Sequence, residues 1–354
     1  MTAITELKIH DIAFGGKGVA RDEGKAVFIP FTIDGERVQA KIVRERKQFA
    51  EAELSAVLDP SPDRVIPECP YFGHCGGCSY QHITYAHQLS VKTRQVEQAM
   101  HRIGRLADPP MQPIFPSPES YGYRNRITVH AEDNVIGFYR RDVHKLMDIE
   151  QCPIAMPAVN DGLARLRSNR VRDGHYTLRA HPGPRVFGQT NDAVASALAD
   201  LVTKTLAPGG KLLIDAFCGA GFFSKRLTNQ FERVIGIDWD RFAIAAAQEN
   251  AGTKETYIAG DITTELGAVL RGNDLASTTL IVDPPATGLS TETRLTLLDA
   301  APQTMVYVSC NPPTLARDLA ELQQRFQVIS ITPLDMFPQT AEIEVVAHLR
   351  ASML

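Results

Sequence analysis

Cysteine is scarce in this sequence, with six in 354 residues, and tryptophan occurs once. So few cysteines, in no regular spacing, argue against a disulfide-stapled secreted domain. No apolar run approaches the roughly 20 residues needed to cross a bilayer. The opening stretch MTAITELKIH lacks the basic-then-apolar order of a secretory signal. A cytoplasmic, membrane-free protein is therefore expected, with cysteines serving as thiols, metal ligands or catalytic groups. Strong net charge is missing too: the formal value is −4. That weighs against an indiscriminate nucleic-acid coat and leaves room for a local basic groove. Basic residues do gather between Lys92 and Arg185, through Arg94, Arg102, Arg105, Arg124, Arg126, Arg140, Arg141, Lys145, Arg165, Arg167, Arg170, Arg172 and Arg179. Such a stretch suits phosphate contacts; the bland alternative is a solvated charged surface.

The length accommodates two or three domains. Residues 1–57 read as all-β: LKIHDIAF, KAVFIPF, ERVQAKIVRER and FAEAELSAVL alternate apolar and polar positions. Turn signals separate them at Gly15-Gly16, Asp22-Glu23-Gly24 and Asp34-Gly35. A small OB-type barrel is expected. Residues 58–185 form a central α+β segment. It carries a linker at Asp59–Asp63, a helix around YAHQLSVKTRQVEQAMHRIG and a proline-rich loop from Asp108 to Pro118. Strands follow, with a hairpin turn at Asp133-Asn134. From 186 to 354 apolar strands alternate with helical sequence: KLLIDAF, RVIGIDW, ETYIAGD, TLIVDPP and TMVYVSC, then FQVISITPLD and IEVVAHLR. That pattern predicts an α/β, doubly wound sheet with its site at the strand carboxyl ends.

The first of these strands runs into Asp215-Ala216-Phe217-Cys218-Gly219-Ala220-Gly221. Gly219 and Gly221 let backbone approach a ligand closely. Asp238 ends the next strand, where a carboxylate accepts from ribose hydroxyls, and Asp261 ends the third, suited to an adenine amine. A nicotinamide dinucleotide would favour GxGxxG, and the third glycine is Ser224 here. The acidic Asp215 suits a cationic amino-acid ligand better than a pyrophosphate. S-adenosylmethionine is the expected cofactor, and Cys218 a small packing residue.

The fourth strand ends in Asp283-Pro284-Pro285, a tight turn. The fifth ends in Ser309-Cys310-Asn311-Pro312. A cysteine at a strand end beside a cofactor is where a nucleophile sits, although a lone cysteine is ordinarily a buried structural thiol. Glu344 heads the last strand and is either a base reaching the same pocket or a surface carboxylate. Cys69, Cys75 and Cys78 (C-x5-C-x2-C) with the remote Cys152 suggest a four-cysteine site. Its uneven spacing is more ferredoxin-like than zinc-like, because zinc sites usually pair two CxxC knuckles. His74 reads as a bystander.

Together FGQTN (187–191), DAFCGAG, DPP, YVSCNP and DMFPQT…E resemble the RNA uracil-C5 methyltransferase family. AFGGKGVAR near the start resembles a TRAM domain. The resemblance implies a class I, Rossmann-like methyltransferase domain, the TRAM barrel as an RNA-binding appendage, and a central domain holding a 4Fe-4S cluster on the four cysteines. It implies Cys310 as nucleophile, Glu344 as base, and Gln189, Phe217, Asp238 and Asp283 at the cofactor, with Asp283 also near the uracil. It further implies a monomer acting on RNA, ribosomal (23S) more than transfer. Two positions depart from the family pattern. Ala286 stands where an arginine usually follows Asp-Pro-Pro, and Glu342 where a histidine usually precedes the glutamate by two. Strand alternation would put residues 342 and 344 on one face, where a second carboxylate would raise the pKa of Glu344.

Overall fold

The structure, a computed structural model, describes residues 4–141, 143–181, 188–249 and 251–352. They group into two compact units: one of residues 1–95, 118–182 and 337–342, the other of 96–117, 183–336 and 343–354.

The first unit opens with six strands: β1 (Ile4–Lys8), β2 (Asp11–Ile12), β3 (Lys17–Asp22), β4 (Lys25–Pro30), β5 (Arg37–Glu45) and β6 (Phe49–Asp59). They form one curled sheet in the order β1-β5-β6-β4-β3-β2. The two-residue period of the sequence delivers Val27, Ile29, Val38, Ala40, Ala50 and Ala52 to one interior. LKIHDIAF, expected as one strand, is two. Ile9 N–H donates to the Glu36 carbonyl at 2.9 Å and His10 N–H to that of Val19 at 2.8 Å, so the backbone changes partners there. The chain leaving the sheet is fastened by Glu36, fully buried, which accepts from Arg64 Nε and Nη2 at 2.6 and 2.7 Å. Burial alone would raise the Glu36 pKa; the Arg64 bonds, with the N–H groups of Ile33 and Ser61 and the Arg64 charge, more than reverse it.

Helix α1 (Tyr85–Arg102) begins in this unit. Strands β7 (Arg126–Glu132), β8 (Val135–Tyr139) and β9 (Leu146–Asp148), helix α2 (Pro157–Arg167) and strand β10 (Gly174–Arg179) follow. The four strands order as β10-β7-β8-β9. Ile127, Val129 and Ala131 alternate inward against Val159 and Leu163 of α2. The hairpin falls where the sequence places it: Asp133 and Asn134 have φ of 49° and 65°, as a two-residue turn between right-twisted strands requires.

The second unit contains α3 (Asp192–Thr205), β11 (Gly210–Ala216), α4 (Ser224–Leu227), β12 (Phe231–Asp238), α5 (Arg241–Gln248) and β13 (Glu255–Ala259). After these come α6 (Ile262–Arg271), β14 (Thr278–Val282), α7 (Thr291–Asp299), β15 (Thr304–Ser309), α8 (Pro312–Leu322), β16 (Phe326–Leu334) and β17 (Glu344–Ala351). The sheet order is β13-β12-β11-β14-β15-β17-β16. The first five strands are mutually parallel, and β17 is antiparallel to both its neighbours. Strand order reverses between β11 and β14, which opens a crevice at their carboxyl ends. Ile214, Ile237, Leu280, Val282, Tyr307 and Leu349 are among the core residues of this sheet.

Residues 96–117, expected with the central segment, belong to this second unit. Val96 and Met100 enter its core, Gln112 N–H donates to the Ile331 carbonyl at 2.8 Å, and Phe115 N–H to that of Pro333 at 2.9 Å. The proline-rich loop thus runs beside β16. The expected boundary at 185/186 lies outside the described residues. No helix among the described residues is long and apolar enough to cross a membrane.

Candidate active site

The carboxyl ends of β11, β12, β13, β14 and β15 share one edge of the sheet. Because β17 runs the other way, its first residue, Glu344, lies at that same edge. The last rung between β15 and β17 pairs Ser309 with Val345. Cys310 follows β15 directly as a bend, and Glu344 is the first residue of β17, next to that rung. Antiparallel pairing of β15 with β17 therefore brings two strand ends, 34 residues apart in sequence, to one edge of the sheet. Cys310 is partly exposed, whereas Glu344 is buried at 3% exposure.

Local sequence shapes the turn at Cys310. Ser309 Oγ accepts from the Asn311 N–H at 3.1 Å. Asn311 caps α8, its Oδ1 accepting from the Thr314 N–H at 3.3 Å. Pro312 and Pro313 occupy the first helical positions, where a missing N–H leaves nothing unsatisfied. The thiol thus sits just ahead of a helix start, whose partial positive charge favours a thiolate.

On the β11 side, Phe217 takes a left-handed φ of 65°, turning the chain directly after the strand. Gly219 follows with φ 53°. A Cβ built there would meet nothing within 4 Å, so the loop backbone borders open space on that side. Gly221 is different: with φ 87° any side chain would be strained, and a Cβ would sit tightly, 3.0 Å from Tyr257 Oη and 3.1 Å from Ser224 Oγ. Asp238 holds the loop. Its Oδ2 accepts from the Gly219 N–H and its Oδ1 from the Asp240 N–H, both at 2.8 Å. A carboxylate has about four lone-pair sites, so capacity for hydroxyl donors is left. Asp261 is exposed and caps α6, with Oδ1 taking the Thr264 N–H at 3.2 Å. Cys218 is buried, and burial pushes its thiol far up, as expected of a packing residue.

Two further carboxyls lie at this edge. Asp215 is fully buried; its Oδ2 accepts from the Ser224 N–H at 2.9 Å, and its Oδ1 has no partner. Burial raises its pKa to about 7, and Asp238 adds to the rise. Asp283, on the neighbouring strand end, is also raised to about 7, by burial and then by the charge of Asp215. Two carboxyls short of countercharge are what a cationic ligand relieves.

The remaining expected residues fall as follows. Gln189 is half-buried just ahead of the Asn191 cap of α3, and Phe187 of the same motif lies outside the described residues. Glu342 corrects the sequence expectation. It precedes β17 and is exposed, while Glu344 is buried, because alternation has no force before the strand begins. Cys69, Cys75, Cys78 and Cys152 are all partly buried thiols in the first unit. Burial pushes Cys78 up to about 12 and Cys152 to about 11, and in each case neighbouring cysteines of the four add to the rise. The turns that carry them are pinned: Gly77 N–H donates to Cys75 Sγ at 3.4 Å, and Asn160 bonds both the N–H and the carbonyl of Cys152. Among the described residues no group of three or more metal-binding side chains closes around the position of a single ion. Arg124, Arg126 and Arg179 cluster at the ends of β7 and β10, where burial and then the two like charges lower the Arg126 pKa. Arg185 lies outside the described residues. Asp318, in α8, is not singled out by the sequence reading.

A doubly wound sheet with a glycine loop after its first strand and an acidic residue after its second defines a nucleotide-cofactor α/β enzyme of the methyltransferase type. Comparison with known proteins narrows the class. The tRNA (uracil-5-)-methyltransferase family model matches residues 266–352, the TRAM domain model residues 3–55, and the RNA cap guanine-N2 methyltransferase model residues 210–305. The chain is 30% identical to an RNA methyltransferase of Bdellovibrio bacteriovorus, over 98% of this chain and 94% of that one. It is 29% identical to one of Thermosynechococcus vestitus, over 99% and 98%. Its fold is similar to the Pyrococcus abyssi tRNA (uracil-54, C5)-methyltransferase solved in complex with S-adenosyl-L-homocysteine, with a TM-score of 0.73, 23% identity and coverage of 99% and 100%. The chain belongs to the same RNA methyltransferase family as its Bdellovibrio relative, and its N-terminal segment matches the TRAM domain.

Proposed function

We propose that the enzyme methylates C5 of a uridine in RNA through a covalent bond between Cys310 and C6 of the base, with Glu344 removing the C5 proton. The pairing of Ser309 with Val345, which sets Cys310 and Glu344 at adjoining strand ends, carries this reading. Uracil C5 is too weak a nucleophile to take a methyl group unaided. Addition of the Cys310 thiolate to C6 makes C5 enolate-like. After C5 is methylated, Glu344 takes its proton and the electron pair returns to expel the thiolate. A buried carboxylate at the same sheet edge as the thiol supports that second step.

The residues at the edge fit S-adenosylmethionine: open space beside Gly219, spare acceptor capacity on Asp238, and an unpartnered buried oxygen on Asp215. Gln189, Phe217, Gly219, Gly221, Asp238, Asp261 and Asp283 would hold it, and bound there it supplies an electrophilic methyl group. Its positive charge gives the reading a pH dependence. Below about pH 7 the free enzyme holds protons on Asp215 and Asp283. Unfolded, both groups ionise near 3.8, so the cofactor-free protein should lose stability as pH rises from about 4 to about 7. A cation displaces those protons, so affinity should rise with pH, by up to about tenfold per unit per proton released, and level off above about 7. Isothermal titration at pH 6–8, in buffers of different ionisation enthalpy, measures both slope and proton release; a flat profile would contradict it.

For the four cysteines we favour a 4Fe-4S cluster. The donor set is thiol only, and the Gly77 N–H already points at the sulfur of Cys75. A cluster spreads its thiolates further apart than one zinc ion does. It supplies no electron to this reaction and acts as a staple. Cluster-bearing members of the family with an N-terminal barrel act mostly on large-subunit ribosomal RNA, so 23S ribosomal RNA is the first substrate expected. Transfer RNA is the second, since the matching family model is named for it. Mass spectrometry of both RNAs from cells lacking the protein should show loss of 5-methyluridine at a defined site. An unchanged 5-methyluridine content in both would refute an active enzyme.

A further inference from the structure

The loop after β14, Asp283-Pro284-Pro285-Ala286-Thr287-Gly288-Leu289, leaves the sheet with little regular structure of its own, apart from a turn closed by Gly288 N–H on the Pro285 carbonyl at 2.8 Å. Its backbone is instead caught by the helix that follows Cys310. Thr314 Oγ1 donates to the Ala286 carbonyl at 3.0 Å and Arg317 Nη2 to that of Thr287 at 3.0 Å. Leu289 N–H donates to Asp318 Oδ2 at 2.8 Å. Thr314, Arg317 and Asp318 are spaced to share one face of α8. The contact is close: Gly288 has φ 76°, and a Cβ there would come within 2.6 Å of Asp318 Oδ2.

Asp318 is fully buried, and its two oxygens divide the work. Oδ1 accepts from Arg294 Nη1 at 3.3 Å and from Arg317 Nε and Nη2 at 2.9 and 2.7 Å. Oδ2 accepts from the Leu289 N–H and, at 2.7 Å, from the Tyr307 hydroxyl. Tyr307 lies on β15, three residues before Cys310. Glu321 accepts from Arg294 Nε at 2.7 Å, so two carboxylates face two guanidiniums. One side chain therefore touches the strand leading into Cys310, the helix leading out of it, and the loop leading out of Asp283.

We propose that Asp318 is a positioning residue which ties the loop following Asp283 to the turn carrying Cys310, and so sets how the thiol meets the base. The proposal rests on Cys310 being the nucleophile. Asp318→Asn keeps the shape but offers a single acceptor oxygen, turning an NH₂ either toward the guanidiniums or toward the Leu289 N–H and Tyr307 hydroxyl. The variant should fold and bind S-adenosylmethionine as the parent does, read from quenching of Trp239, the sole tryptophan, exposed beside Asp238. Its kcat should fall on the order of 10²-fold, the cost of misplacing a reacting group by about 1 Å. The KM for S-adenosylmethionine should not change. Covalent trapping by 5-fluorouridine transcripts of transfer and 23S ribosomal RNA should slow by a similar factor. A purely structural role would lower the melting temperature and leave the trapping rate of the folded fraction unchanged; that result overturns the proposal. Should Asp318→Asn fail to fold, Tyr307→Phe, which removes one donor and keeps the ion pairs, decides in the same way: slowed trapping supports the proposal and a parental rate overturns it. Cys310→Ala run alongside separates the two readings, because trapping without the thiol strikes the nucleophile assignment, whereas a parental rate in Asp318→Asn strikes Asp318 alone.

Discussion

Glu344→Gln should accumulate a covalent enzyme–RNA complex on ordinary, unfluorinated substrate. With Cys310 intact, addition to C6 and methylation of C5 go forward, and the step that stalls is removal of the C5 proton. The product should be a denaturant-resistant band whose mass equals protein plus RNA plus one methyl group. Turnover should fall by several orders of magnitude, as when one member of a catalytic unit is removed. Cys310→Ala should lose turnover at least as severely and give no band on any substrate. Glu344→Gln turning over at the parental rate would remove Glu344 from the mechanism. The burial of Glu344 is what makes amide substitution informative. At 3% exposure, bulk water has poor access to act as a substitute base.

The second large effect concerns the four cysteines. Protein prepared under anaerobic conditions should be brown and contain about four irons and four sulfides per chain. Cys78→Ser or Cys152→Ser should lose most of that iron. Metal binding of this kind is folding free energy for the segment that holds it, so the melting temperature should drop by roughly 5 °C or more. Cofactor binding to the other unit, followed by Trp239 fluorescence, should survive in the folded variants. Stoichiometric zinc with no iron in the parent protein would sink the cluster assignment. The pinned turns explain why single replacements should suffice. Asn160 holds both the N–H and the carbonyl of Cys152, so a serine there cannot be bypassed by a shift of the loop.

What could be read from the sequence was what short range decides. The Asp133-Asn134 hairpin, the apolar strands of the sheet and the glycine loop after Asp215 each depend on a few adjacent residues, and each lies where expected. Cys310 and Glu344 were legible because each ends or begins an apolar run. Long-range partners were not legible. LKIHDIAF alternates convincingly, yet Glu36 and Val19 divide it. Glu342 alternates with Glu344 on paper, yet the strand starts two residues too late for that to matter. Residues 96–117 carry no signal of the sheet that accepts them. Asp318 looks like any acidic position on an amphipathic helix until Leu289, Tyr307 and two arginines are seen to converge on it.

The reversed last strand carries one more implication. The proposed nucleophile and base stand at the ends of two paired strands, so their encounter would depend on counting rungs. If β17 slid by a single residue, Val345 or Ile343 would face the thiol in place of the carboxylate, and every side chain along the strand would swap faces. Such a slip would leave the chain nearly the same shape and chemically mute. An inserted or deleted residue between Phe337 and Glu344 can be absorbed by a bend, whereas one within Glu344–Ala351 moves the count itself. The final strand thus works as a ruler whose zero mark is the proposed base.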